Sequence, residues 1–331
     1  MRAPLFVVIA VALVLPSLAS AQFGGLMGGS QQAFTASINP QYPAPYSRAT
    51  LSLVSSTLDL NRAVMAVSVA GKEIYRGNVQ PLAIPLGATG SVTKVVVTII
   101  SAGANYSQTL SIQPQDVALI AEPISSAPPL YPGKSLVPLE GDVRMVAMAN
   151  LRNAQGKVID PATCSYAWTV DGAQIANASG IGRNSIIVAS PLQYRSRDVS
   201  VEVASPDGNL VGGAEFSLIP VEPTVRIYEN DPLLGIRYEH ALSGTHAIST
   251  TEETLYAAPF SLPTTSGAPL VQWFLNGAMA QTGSTITLRP TGNGQGNASL
   301  SLTASAGAYT RATANLSLSF GATSGFNFFG L

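Results

Sequence analysis

The chain has 331 residues, of which 11% are Asp, Glu, Lys or Arg, with a formal net charge of −1 and a single cysteine. Phosphate neutralisation needs clustered Lys and Arg, so a nucleic-acid partner is excluded, and one cysteine permits no intrachain disulfide. The length is ample for several hydrophobic cores, and the low charge with abundant small residues suits short strands joined by tight turns rather than a charged catalytic cleft.

Residues 1–21 read as a signal peptide. Arg2 supplies the positive end, residues 5–15 are an unbroken apolar run, Pro16 ends it, and Ala19-Ser20-Ala21 has the small-x-small pattern of a cleavage site. The expectation is an exported protein cleaved after Ala21, with a retained anchor as the alternative. No later stretch stays apolar for the roughly 18 residues a membrane helix needs, so no membrane span is expected after cleavage. Residues 22–32 (QFGGLMGGSQQ) form a Gly-rich leader with too little apolar surface to fold alone, hence a flexible tether.

Three β-sandwich modules follow, expected at 33–122, 123–221 and 222–320. In the first, strands are predicted at 48–55, 63–69, 92–100 and 106–112. In the second they fall at 165–170, 173–176, 199–204 and 210–219, with hairpin turns at Asp171-Gly172 and Asp207-Gly208. The third repeats the plan at 271–275, 284–288, 298–304 and 309–320, turning at Asn276-Gly277. No segment holds a 3.6-residue apolar period over a helical length. The Pro-bearing stretches around 117–122 and 225–229 read as short connectors, which favours an extended, semi-rigid array.

The module count rests on a repeat. Trp168 precedes Gly172 in WTVDG, Trp273 precedes Gly277 in WFLNG, and VSVAG at Val67 to Gly71 is a degenerate copy; the glycines are 101 and 105 residues apart, about one small sandwich. A Trp in mid-strand with alternating neighbours packs between two sheets, and Cys164, Tyr166 and Trp168 share one face. With Tyr166-x-Trp168-x-x-x-Gly172 and a later Asp-Gly hairpin, the chain resembles PKD and bacterial immunoglobulin-like modules. The runs Pro129-Leu130-Tyr131-Pro132-Gly133-Lys134, Ser205-Pro206-Asp207-Gly208 and Tyr228-Glu229-Asn230-Asp231-Pro232-Leu233 are similar to an uncharacterised family of exported tandem immunoglobulin-like proteins from candidate-phylum bacteria. The resemblance implies fold and junctions and brings no catalytic residue.

Catalytic patterns are missing. There is no Gly-x-Ser-x-Gly elbow, His-Glu-x-x-His helix or phosphate loop. His240 and His246 read as loop residues without a carboxylate cluster, and Glu252 and Glu253, adjacent on a strand, would face opposite ways. The buried role of a small hydrophobe is expected for Cys164. Asp116, Glu122, Glu229 and Asp231 read as solvated edge charges, with calcium bridging between modules as the minor alternative. No enzyme, cofactor or metal site is expected.

The tail 321–331 (GATSGFNFFGL) carries Phe326, Phe328, Phe329 and Leu331 beyond the last module. Two readings stand: the tail folds back onto the third module, or it docks on a partner by adding a strand to a sheet edge. The function expected is that of a non-enzymatic structural or adhesive protein of the cell surface or envelope, a spacer or interaction scaffold with cell-envelope or surface proteins as partners. The alternative is a carbohydrate- or peptidoglycan-binding accessory protein.

Overall fold

The computed structural model describes residues 33–291, 295–307 and 309–321. Among these the fold is almost entirely β, a multi-domain immunoglobulin-like array of sheets that are antiparallel except where Gly244–Ile248 joins Thr310–Phe320, and the helical segments Leu60–Arg62, Pro161–Thr163 and Ala176–Ala178 are single 3-10 turns. The chain divides into two compact units. The first holds 33–38, Thr50–Ile84 and Thr93–Ile112; the second holds Asn39–Ala49, Pro85–Val92 and the chain from Gln113 onward.

The strands lying wholly or mainly in the first unit are β1 (Thr35–Asn39), β2 (Arg48–Val54), β3 (Val64–Val69), β4 (Lys72–Asn78), β5 (Leu82–Pro85), β6 (Thr93–Ser101) and β7 (Ala104–Ile112). They form two sheets, ordered β1-β2-β5 and β4-β3-β6-β7. Alternation decides which side chains point inward: Val95, Val97 and Ile99 on β6 are fully buried, as are Met65 and Val67 on β3.

In the second unit, β8 (Asp116–Pro123), β9 (Asp142–Asn150), β10 (Ser165–Val170), β11 (Ala173–Gln174), β12 (Gly180–Ile181), β13 (Ser185–Ala189), β14 (Arg197–Ala204) and β15 (Val211–Leu218) make sheets β13-β9-β8 and β11-β10-β14-β15, with β12 also on β10. Their core centres on Met145, Tyr166, Trp168 and Val201. Then come β16 (Thr224–Asp231), β17 (Gly235–Ile236), β18 (Gly244–Ile248), β19 (Glu253–Phe260), β20 (Leu270–Leu275), β21 (Ala278–Thr282), β22 (Thr285–Leu288), β23 (Gly296–Ala306) and β24 (Thr310–Phe320). These form sheets β17-β16-β19-β22 and β18-β24-β23-β20-β21 around Trp273, Leu255 and Leu302.

The sequence repeat is a structural repeat. Val67 lies opposite Val97, Trp168 opposite Val201 and Trp273 opposite Leu302, each in the same place on its strand pair. All three are fully buried. Each strand then enters a two-residue turn with positive φ at both positions: Ala70 at 49° and Gly71 at 82°, Asp171 at 48° and Gly172 at 79°, Asn276 at 50° and Gly277 at 83°. That backbone matches the twist of the flanking strands, and the glycine reaches it without a Cβ clash. In every copy the first turn residue donates its N–H to the neighbouring strand, to Lys94 O at 2.9 Å, Asp198 O at 2.8 Å and Ser299 O at 2.8 Å. Asp171 and Asn276 add a side-chain acceptor, for the N–H of Asp198 at 3.0 Å and of Ser299 at 2.9 Å. Ala70 has no side-chain acceptor to do the same.

Several expectations need correction. Residues 117–122 and 225–229, read as connectors, are the bodies of β8 and β16 and pair residue by residue with β9 and β19. The return strand expected at 173–176 is only the two residues of β11, because the chain turns into a 3-10 segment fixed by the Ser179 hydroxyl, which donates to Ile175 O at 2.8 Å and accepts the Trp168 N–H at 3.0 Å.

Candidate functional site

Among the described residues, the most elaborated polar site lies within the second unit, where the long β8–β9 loop meets the chain leaving β19. Ser125 and Pro263 form an antiparallel bridge. Around it, the Ser126 N–H donates to Leu262 O at 2.7 Å, the Ser261 N–H to Ser126 O at 3.0 Å and the Thr264 N–H to Ile124 O at 3.1 Å. Side chains complete the joint: Ser126 Oγ accepts the Leu262 N–H at 3.1 Å, Ser261 Oγ donates to Val221 O at 3.0 Å, and Thr310 Oγ1 donates to the Glu140 carboxylate at 2.8 Å. Tyr131 closes one side with its ring edge-on to Phe260, centroids 5.2 Å apart.

Burial shows what this joint requires. The buried polar side chains among the described residues are Gln115, Ser126, Ser205, Ser261 and Thr310, and three of the five belong to this joint. A buried hydroxyl stripped of its partner costs about 1–3 kcal/mol, so hinging here would orphan several groups at once. A second tie runs from Gln115, whose amide donates to Arg152 O at 3.1 Å and accepts the Arg152 N–H at 2.7 Å. A third is Tyr42, whose ring covers Gly213, where a Cβ would stand 2.4 Å from Cδ2. Its hydroxyl donates to the Glu202 carboxylate, and burial first, then Glu202, pushes the phenol far above its ordinary range.

Beside the Ser261 joint lies a groove of about 450 Å³ lined by Leu139, Tyr194, Arg195, Ile219, Pro220 and Glu222. Tyr194 is 90% exposed with a φ of 63°. One aromatic cluster closes on itself: Tyr238 packs edge-on to Tyr228 and Tyr256 at 5.3 and 6.4 Å, leaving Tyr228 buried. The Tyr238 phenol is pushed up to about 12, first by burial and then by Tyr256.

The residues singled out in the sequence are scattered. Cys164 is buried beside Tyr166 and Trp168, and burial first, then Asp160, raises its thiol. Asp116 accepts from Asn150 at 3.2 Å, Glu122 pairs with Arg144 at 3.0 Å, and Asp231 accepts the N–H groups of Leu233 and Leu234 at 2.7 and 2.9 Å. No group of three or more His, Cys, Asp or Glu that could hold a metal occurs among the described residues. Glu252 pairs with Arg289 while Glu253 meets His246, so the two carboxylates point apart.

His246 differs from expectation. It lies on β18, not in a loop, and its Nε2 is 2.5 Å from Glu253 Oε1, linking two sheets at a little-exposed position. Sequence reasoning missed this because β18 pairs in parallel with β24, a contact between distant segments. The junction serines were missed too, since nothing local distinguishes Ser126 or Ser261 from the many exposed serines. Phe326, Phe328, Phe329 and Leu331, with the signal and leader segments, lie outside the described residues.

No protein-family model matches the chain, and no curated protein matches it. Among solved structures it is similar to the central fibronectin-III array of a RIM-binding protein, at 10% identity over 87% of this chain and 96% of that one, TM-score 0.30. It is also similar to three N-terminal domains of the bacteriophage RB49 Highly Immunogenic Outer Capsid protein, at 12% identity over 86% and 99%, TM-score 0.24. A third likeness is to fibronectin(III)-like modules of Clostridium thermocellum CbhA, at 11% identity over 59% and 92%, TM-score 0.23. At these identities the likeness extends to the fold alone.

Proposed function

We propose that this is an exported, non-enzymatic surface or envelope protein that acts as a spacer or interaction scaffold. The observation that carries the reading is the joint at Ser126, Ser261 and Thr310: buried hydroxyls bonded across it make adjacent sandwiches of the second unit resist bending. A spacer needs that resistance, whereas a flexible tether would leave such hydroxyls in water. The signal-like pattern at 1–21 supports export in this reading, and the apolar residues at 326–331 support docking on an envelope or surface protein.

The test has two arms. Spin labels on cysteines introduced at the exposed Gln174 and Gln281 report the distance between the two sandwiches; a narrow distribution is expected, and a broad one rejects the spacer reading. Deleting 326–331 is expected to abolish retention by envelope extracts while thermal stability stays nearly unchanged. Unaltered retention rejects the tail as the docking segment.

A further inference from the structure

An edge strand exposes unpaired backbone N–H and C=O groups, and folded proteins blunt such edges with charge, proline, glycine, bulges or a covering segment. The long edges of this protein are blunted, with one exception. β4 carries Lys72, Glu73 and Arg76 and a bulge; β8 carries Asp116, Glu122 and Pro123; β15 carries Glu215 and two glycines. β24 would be a further long edge, but β18 covers its half Leu316–Phe320 in parallel and the other half carries Arg311. The remaining edge strands have five residues or fewer, save β7.

β7 is nine residues long, ANYSQTLSI, with no charge, proline or glycine, and it pairs with β6 without a bulge. It occupies the position in its sheet that β24 occupies, yet no strand among the described residues pairs with its outer edge; β1 touches it through the Ala36 N–H, which donates to the Gln108 side-chain carbonyl at 3.0 Å. The two-residue turn Ala102-Gly103 fixes which backbone groups face the open side. Ser101 and Ala104 flank that turn as a hydrogen-bonded pair, so bonding to β6 alternates from Ala104, and the groups of Asn105, Ser107, Thr109 and Ser111 point outward.

We propose that β7 is a self-association edge, pairing antiparallel with β7 of a second copy to give one continuous sheet across a two-fold axis. Chemistry favours a second copy over a charged peptide. The edge offers no charge to recognise one, and identical uncharged edges bring no like charges together. The register is self-consistent. With Gln108 on the axis, Ser107 faces Thr109 of the other copy and Asn105 faces Ser111, so every outward residue meets an outward residue and about eight hydrogen bonds form. Tyr106 then lies beside Leu110 on the opposite face, extending the apolar side of the sheet.

Sedimentation of the chain from Gln22 over a concentration series tests this. A reversible dimer is expected, weakened at least roughly tenfold in the double variant Ser107→Lys/Thr109→Lys, which sets like charges opposite each other. Mixing that variant with Ser107→Glu/Thr109→Glu should restore a heterodimer, which misfolded variants cannot do. The proposal is overturned if the wild-type chain stays monomeric at about 100 µM. It is overturned equally by association that the lysines leave unchanged. A monomer that dimerises only after removal of 22–32 or 322–331 also overturns it, since the chain's own segment would then hold the edge.

Discussion

Ser126 and Leu262 hold each other twice: the serine N–H donates to the leucine carbonyl at 2.7 Å, and the leucine N–H donates to the serine hydroxyl at 3.1 Å. They are 136 residues apart in the chain and both are buried. Replacing Ser126 or Ser261 by alanine keeps the backbone bonds and removes one buried partner, an expected loss of about 1–3 kcal/mol for each. Urea denaturation measures it. A midpoint unchanged in both variants would mean that the joint is wet and contributes little.

The two tryptophans are predicted to be independent and equally important. Each indole N–H donates to a backbone carbonyl, Trp168 to Arg183 at 2.8 Å and Trp273 to Gly283 at 2.9 Å. Truncation to alanine should cost about 3–5 kcal/mol in either core. Phenylalanine fills most of the volume but orphans the carbonyl, so a smaller loss of about 1–3 kcal/mol is expected. Calorimetry of the single and double variants checks both magnitude and additivity.

The structural repeat predicts a stabilising change. Ala70 has the positive φ of Asp171 and Asn276 but lacks their side-chain acceptor. Ala70→Asn should accept the Lys94 N–H, the counterpart of Asp198 and Ser299, and should suit the left-handed backbone better than alanine does. A gain of about 0.5–1 kcal/mol is expected, read as a raised midpoint of the first unit. A loss would show that the first turn is not equivalent to the other two.

Asp231 accepts two backbone N–H groups at the β16–β17 turn, first that of Leu234 and then that of Leu233, and its carboxyl is held below the ordinary 3.8. A depressed folded value means that the stabilisation is complete above 3.8 and disappears as pH falls through the lower folded value. The amide resonances of Leu233 and Leu234 should therefore stay constant from neutral pH to about 5 and move together only in stronger acid. Movement near pH 6 would assign the change to another group.

Cys164 should be silent to thiol reagents in the native protein at neutral pH. Its side chain is fully buried, and burial raises the thiol. Labelling by a maleimide is expected only after denaturation, and rapid labelling of the folded chain would show that the second core opens.

The sequence by itself determined the features whose signals are local. Alternation around Trp168 and Trp273 placed their strands and inward faces, and Asp171-Gly172 and Asn276-Gly277 placed the hairpins, because a two-residue turn needs positive φ where it stands. Tertiary structure alone decided what depends on distant partners. Residues 117–122 look like a linker until β9 supplies a strand to pair with, and His246 looks like a loop residue until β24 and Glu253 flank it. Ser126 and Ser261 have no local signature at all, for a hydroxyl becomes structural only when folding removes water from it and offers a carbonyl or an N–H from far along the chain.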